Sequence, residues 1–250
     1  ENIKRFVDRL YIIFPFEKEF YSRHNYPAIY LGNPLPDHID AWRAGLPDNS
    51  SLRLSLGLDE RPVVALLAGS RLQEVTRMLP VMAAAAPSYP DYQFAVAAMD
   101  HLPARLYEEA AANYGIKVIN GKTYDLLAVA EAALVTSGTA TLEAALFDVP
   151  QVVCYSTSPL TYHLAKLVIK VRFISLVNLV MDREVVRELI QGDLNQVNLH
   201  RELAQVLSTG YRHQLIKKDY SELREALGGG GASGRVAAGM VTDLRQSREI

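Results

Sequence analysis

The stretch PVVALLAGSRLQEV, residues 62–75, opens as an unbroken apolar run, stops at Gly69-Ser70-Arg71 and restarts with apolar residues at helical spacing. A strand that is apolar at every position, not at every second one, is buried on both faces, as in a parallel sheet covered by helices. The pattern returns at ALVTSGTATLEAAL, residues 133–146, where the break is Ser137-Gly138-Thr139. Further runs, YQFAVAAM (92–99), IKVIN (116–120) and QVVCYS (151–156), alternate with helix-like segments such as PARLYEEAAANYG and TYDLLAVAE. These strands predict one Rossmann-like, doubly wound α/β domain.

An earlier run, RLYIIF (9–14), and the helix-like FEKEFYSRH lie before a turn-rich linker, YLGNPLPDH (30–38). That unit is too small to fold alone and reads as the remnant of another domain. From about residue 183 the chain looks helical, with GGGGASG (228–234) ahead of a last helix. The expected organisation is 1–36 as the remnant, 37–228 as the ligand-binding domain and 229–250 as a C-terminal helix returning toward the first segment. The chain opens ENIKRFVDR, without Met and inside an amphipathic element, which predicts a piece of a longer protein.

Length and a 49% hydrophobic content allow a substantial core. Lys plus Arg number 26 against 28 Asp plus Glu, so the basic excess of a nucleic-acid binder is absent. No apolar stretch is long enough to span a membrane, and the charged start is not a signal peptide. The single Cys154 lies in an apolar run, where an inert, buried thiol in a reducing, cytoplasmic compartment is expected. The six histidines lack metal-ligand spacing, no G-x-S-x-G elbow occurs, and neither a P-loop nor a G-x-G-x-x-G motif is present. Neither a metal nor a cofactor is expected.

Ligands of a doubly wound sheet bind at the carboxyl ends of its strands, where helix N-termini present N–H groups. Both small-residue turns fall at that edge. Gly69 and Ser70 let a backbone approach an anion, and Arg71 adds a planar fork of donors. Ser137, Gly138 and Thr139 offer two hydroxyls and a cluster of N–H groups. Any strand-to-helix turn favours small residues, so it is the pair that points to a ligand. Glu143, one turn into its helix, has two readings: a slipped capping box, or an acceptor for a pair of sugar hydroxyls. Glu74 reads as a carboxylate at a helix start. Asn178, between apolar residues in SLVNLVMDREVVREL (175–189), is either a satisfied core polar group or a ligand contact, and a helix is expected to open at Asp182-Arg183-Glu184.

Together these segments resemble the lipid-A-disaccharide synthase family of GT-B glycosyltransferases. GSRLQEV is similar to its Gly-Ser-Arg-x-x-Glu-(Ile/Val) motif, and VTSGTATLEAALFDVPQVVCY (135–155) to its donor-site segment. SLVNLVMDREVVREL resembles its Leu-Pro-Asn…Gly-Arg-Glu-(Val/Leu)-Val segment, VDRLYIIFPFEKEFY…YLGNPLPD its domain-crossing stretch, and GASGRVA (231–237) the start of its C-terminal helix. Ala68 and Val177 stand where the family usually has Pro, Asp182 where it has Gly, and Asn33 where His is common.

The resemblance implies a GT-B type fold whose acceptor-side domain, a second Rossmann-like domain with the general base, is mostly outside these residues apart from the remnant 1–36, so that the chain alone is expected to be inactive. It implies transfer of 2,3-diacylglucosamine from UDP-2,3-diacylglucosamine to 2,3-diacylglucosamine 1-phosphate, releasing UDP. Gly69, Ser70, Arg71 and the Ser137–Gly138–Thr139 turn would hold the diphosphate, with Arg71 stabilising leaving-group charge. Glu143 would take the ribose, and Asn178 and Arg183 would stand at the diphosphate or the glucosamine. Expected partners are these two substrates, a membrane surface met peripherally at the inner face of the inner membrane, and a second copy of the chain. The segment PLTYHLAKLVIKVRF (159–173) has an apolar stripe beside Lys166, Lys170 and Arg172, which suits anionic lipid as well as ordinary core packing. Two other readings stand beside this one: another GT-B enzyme of UDP-N-acetylglucosamine (a peptidoglycan transferase or a 2-epimerase), and a nucleotide-sugar-binding module without activity of its own.

Overall fold

The computed structural model describes residues 2–158 and 172–247. In chain order they form α1 (Asn2–Phe6), β1 (Tyr11–Ile12), α2 (Pro15–Arg23), β2 (Ile29–Tyr30), α3 (Leu35–Arg43), α4 (Asn49–Ser55), β3 (Val63–Leu67), α5 (Leu72–Ala83), β4 (Gln93–Ala98) and α6 (Arg105–Tyr114). Then follow β5 (Lys117–Asn120), α7 (Thr123–Val129), β6 (Ala130–Thr136), α8 (Thr139–Leu146), β7 (Gln151–Tyr155), α9 (Leu176–Met181), β8 (Arg187–Ile190), α10 (Gln196–Val206), α11 (Arg212–Ala226) and α12 (Ala232–Ser247). The chain divides into two compact units: one built from its two ends, up to Gly45 and from Ser221 on, and one spanning Leu46–Tyr220.

The larger unit holds a six-stranded, all-parallel sheet in the order β5-β4-β3-β6-β7-β8. Every residue of β3 and β4 is buried, which is why these runs are apolar throughout. The sheet starts at β3, steps outward to β4 and β5, then crosses back so that β6 lies on the other side of β3. At that reversal the connections on either side leave in opposite directions and open a crevice at the carboxyl ends. The doubly wound expectation holds.

Two local expectations are corrected. The helical part begins at Gln196, not near 183, because Arg187–Ile190 pair in parallel with β7 as an edge strand. Its Arg187-Glu188 start carries the charge that made the segment look helical, and only Leu189 of the four residues is fully buried. Second, no helix opens at Asp182. Helix α9 ends there, with Asp182 in the left-handed conformation at φ 49°. Glycine adopts that conformation without strain, which accounts for the family's glycine at this position. Cys154 is fully buried in β7, and burial pushes its thiol well above the ordinary value.

In the smaller unit β1 and β2 pair in parallel. Asn33 is buried, its Nδ2 donating to Ile13 O (2.9 Å) and its Oδ1 accepting from Leu35 N (2.8 Å). The Asp37 carboxylate of α3 accepts from the amides of Gly231 and Ser233, capping α12 from a distant part of the chain. Arg235 donates to the carbonyls of Leu31, Gly228 and Gly230, fixing the glycine run to the unit. The basic segment 159–171 lies outside the described residues. No helix among the described residues is long and apolar enough to cross a membrane.

Candidate functional site

A cavity of about 560 Å³ opens at the crevice between β3 and β6. Among the described residues it is lined by both small-residue turns, Gly69-Ser70-Arg71 and Ser137-Gly138-Thr139, and by Glu74 and Glu143. Thr123 and Tyr124, the first residues of α7, complete the rim, and Leu67, Ala97 and Thr136 supply its least exposed wall. The strand order makes this convergence possible, because β3 and β6 are neighbours although about seventy residues apart in sequence.

Each turn has a local reason for its shape. Gly69 has φ 107°, and a Cβ there would stand 2.7 Å from the Cβ of Glu74. Conformation and close approach therefore both require glycine. The Glu74 carboxylate folds back over the turn and accepts from Ser70 N (3.1 Å), Arg71 N (3.3 Å) and Arg71 Nη1 (2.9 Å). It covers the amides that would otherwise await an anion, as the glutamate of a capping box does. His101 Nε2 bonds Ser70 O (2.9 Å) and braces the turn from the loop after β4. The Arg71 side chain is 81% exposed, so its pair with Glu74 is weak and easily exchanged for a charged ligand.

The second turn carries Gly138 at φ 148°, immediately before α8. The Ser137 hydroxyl donates to Ile174 O (2.8 Å) and the Thr141 hydroxyl to Gly138 O (2.8 Å), which secure the turn at each side. The capping alternative for Glu143 does not apply, because Gly138 is the cap and the third helical position is Thr141. Glu143 instead accepts from Tyr124 Oη at 3.2 Å. Burial, and then the Glu143 carboxylate, push the Tyr124 phenol well above its ordinary value, so it remains a donor at neutral pH.

Seven of the nine residues expected at the site line one cavity; Asn178 and Arg183 are not among them. Asn178 is fully buried. Its Nδ2 donates to Val186 O (2.8 Å) and Glu188 Oε1 (2.9 Å), and its Oδ1 accepts from the amides of Val185 and Val186. Both donors and both acceptor positions are committed, so nothing is left for a ligand. Asn178 joins α9 to β8 instead, together with Glu188, which also accepts from Ile174 N and Ser175 N. Arg183 pairs with Asp219 at 3.0 Å. Sequence pattern alone does not single out Thr136 or Tyr124. One closes a strand and the other sits in the first turn of a helix, ordinary positions until the sheet order brings three turns to one edge. Among the described residues, no cluster of His, Cys, Asp or Glu side chains is placed to hold a metal ion.

Residues 1–236 match the profile of a family described as lipid-A-disaccharide synthetase. The chain is 36% identical over 253 residues to the lipid-A-disaccharide synthase of Syntrophus aciditrophicus, which covers 98% of it and 65% of that protein. It is 35% identical over 251 residues to the same enzyme of Geobacter metallireducens, covering 98% and 64%. The chain thus spans slightly less than two thirds of these relatives. In fold it is similar to a putative UDP-N-acetylglucosamine 2-epimerase from Listeria monocytogenes (TM-score 0.65, 17% identity, 96% of this chain and 60% of that one). A UDP-GlcNAc 2-epimerase from Neisseria meningitidis, solved with UDP-GlcNAc, gives a TM-score of 0.61 at 14% identity, covering 93% and 60%.

Proposed function

The chain belongs to the lipid-A-disaccharide synthase family, and on that premise we propose that it carries the UDP-sugar side of a lipid A glycosyltransferase. The reaction is transfer of 2,3-diacylglucosamine from UDP-2,3-diacylglucosamine to 2,3-diacylglucosamine 1-phosphate, with release of UDP. The observation that supports this reading best is the meeting of both turns and Glu143 on one cavity at the sheet's switch point.

The diphosphate lies against the two turns. Its negative charge draws the Arg71 guanidinium from Glu74, whose carboxylate keeps the amides of Ser70 and Arg71, and the N–H groups ahead of α8 face it. As the glycosidic bond to the diphosphate breaks, charge grows on the leaving oxygens. Donors already aimed at that position lower the barrier without reorganising, and no metal is called for. Glu143, held by Tyr124, accepts from the ribose hydroxyls. The lipid substrates place the protein peripherally on the inner face of the inner membrane, a reading that rests on the substrate chemistry and on the basic, apolar-striped segment 159–173.

Calorimetry with UDP, using UMP and uridine as controls, tests the reading. UDP binds the chain. Arg71→Ala weakens UDP by about 1.5–3 kcal/mol and leaves uridine nearly unchanged, because only UDP presents the charge. Glu143→Ala weakens UDP and uridine by similar factors. Absence of heat at millimolar UDP with folded protein overturns the assignment.

A further inference from the structure

Thr136, the last residue of β6, lines the cavity and is 2% exposed. Its backbone is in the ladder with β7, opposite Cys154. Its Oγ1, however, finds no hydrogen-bond partner among the described residues. A buried hydroxyl without a partner destabilises a fold, and native structures retain one where it has work to do. The neighbouring polar groups show the contrast: Ser137 and Thr141, one and five residues on, both place their hydroxyls on backbone carbonyls. Around Thr136 the wall is apolar, with Leu67 and Ala97 each 5% exposed, and the hydroxyl oxygen is itself shielded from solvent in the ligand-free protein.

We propose that Thr136 is a ligand-binding residue of this site, its hydroxyl donating to an oxygen of a bound nucleoside diphosphate from the cavity's least exposed wall. The assignment rests on the nucleotide reading above and adds a contact from beneath the two turns. From the rim the first turn presents Arg71 to the ligand and the second its backbone N–H groups. Thr136 supplies a neutral donor in a place where water is largely excluded, so a correctly placed oxygen gains a bond that solvent does not compete for. Stability and binding are then opposed at this position, as they are wherever a polar group is kept for a ligand and left unmatched without one.

The opposition gives the test. Thr136→Val keeps the branched shape of the side chain and removes the hydroxyl. In the ligand-free protein it raises the melting temperature by roughly 2–4 °C, the shift that about 1 kcal/mol produces in a chain of this size. In calorimetry it weakens UDP by roughly tenfold. Thr136→Ser, which keeps the hydroxyl, binds UDP within about threefold of wild type, and Thr136→Ala reads the same loss as valine should the valine variant not fold. A UDP affinity for the hydroxyl-free variants within twofold of wild type, while Arg71→Ala still weakens UDP, overturns the role of Thr136 and leaves the site standing. Failure of the wild-type protein to bind UDP overturns both.

Discussion

Asn178 shows how far a single residue can be read. Its place in an apolar run marks it as unusual, but the run cannot say whether the amide faces a ligand or the protein. The structure answers through valence: two donors and two acceptor positions, all engaged by Val185, Val186 and Glu188. Asn178→Ala therefore leaves the amide and the carbonyl of Val186 buried without partners, while the Val185 amide keeps Arg183 O (3.1 Å). It lowers stability by about 2–4 kcal/mol in denaturant melts, while UDP affinity of the folded protein stays within twofold. A large loss of affinity at unchanged stability would instead return Asn178 to the ligand site. Glu143 is the opposite case. Sequence spacing leaves it between helix cap and sugar acceptor, and its contact with Tyr124 together with the cap at Gly138 excludes the first.

At the scale of elements, α12 depends on a cap that its own sequence does not contain. The residues before it are glycines, and Asp37, nearly two hundred positions earlier, accepts from Gly231 N and Ser233 N. Burial pushes the Asp37 carboxyl upward, but the amides of Ser233 and Gly231 outweigh it and hold it below the ordinary value of 3.8. A carboxylate so depressed contributes stability that is fully present above the ordinary value and is lost as pH falls through the lowered one. Acidification below about pH 3.8 therefore loosens α12, and Asp37→Ala removes the cap at neutral pH at a cost of about 0.5–2 kcal/mol. Hydrogen exchange along residues 232–247 measures both; unchanged protection in the alanine variant means that Asp37 is incidental. The glycine run illustrates the limit of composition. Read as a boundary, it is packed within the smaller unit by Arg235, because glycines also serve where backbones approach closely.

For the whole molecule, ligand binding is the sharpest prediction. UDP at a hundred times its dissociation constant stabilises the unit that binds it by about 2.7 kcal/mol. In hydrogen exchange the amides of 69–71 and 137–139 slow locally, and those of 182–184 do not; protection confined to 175–190 places the nucleotide elsewhere and sinks the switch-point site. The apolar runs, the two turns and their glycines were legible in the sequence because they follow from local rules. A strand buried on both faces is apolar throughout, and a chain turning sharply into a helix takes small residues. Those rules were enough for a parallel α/β fold and for seven of the cavity's residues. What they could not decide is which strand lies beside which. The order β5-β4-β3-β6 results from packing between segments far apart in sequence, and it alone brings Gly69, Thr136, Ser137, Tyr124 and Glu143 to one cavity while leaving Asn178 and Arg183 outside it. The short edge strand β8 and the remote cap of α12 were hidden for the same reason: each is held by partners that the local sequence does not contain.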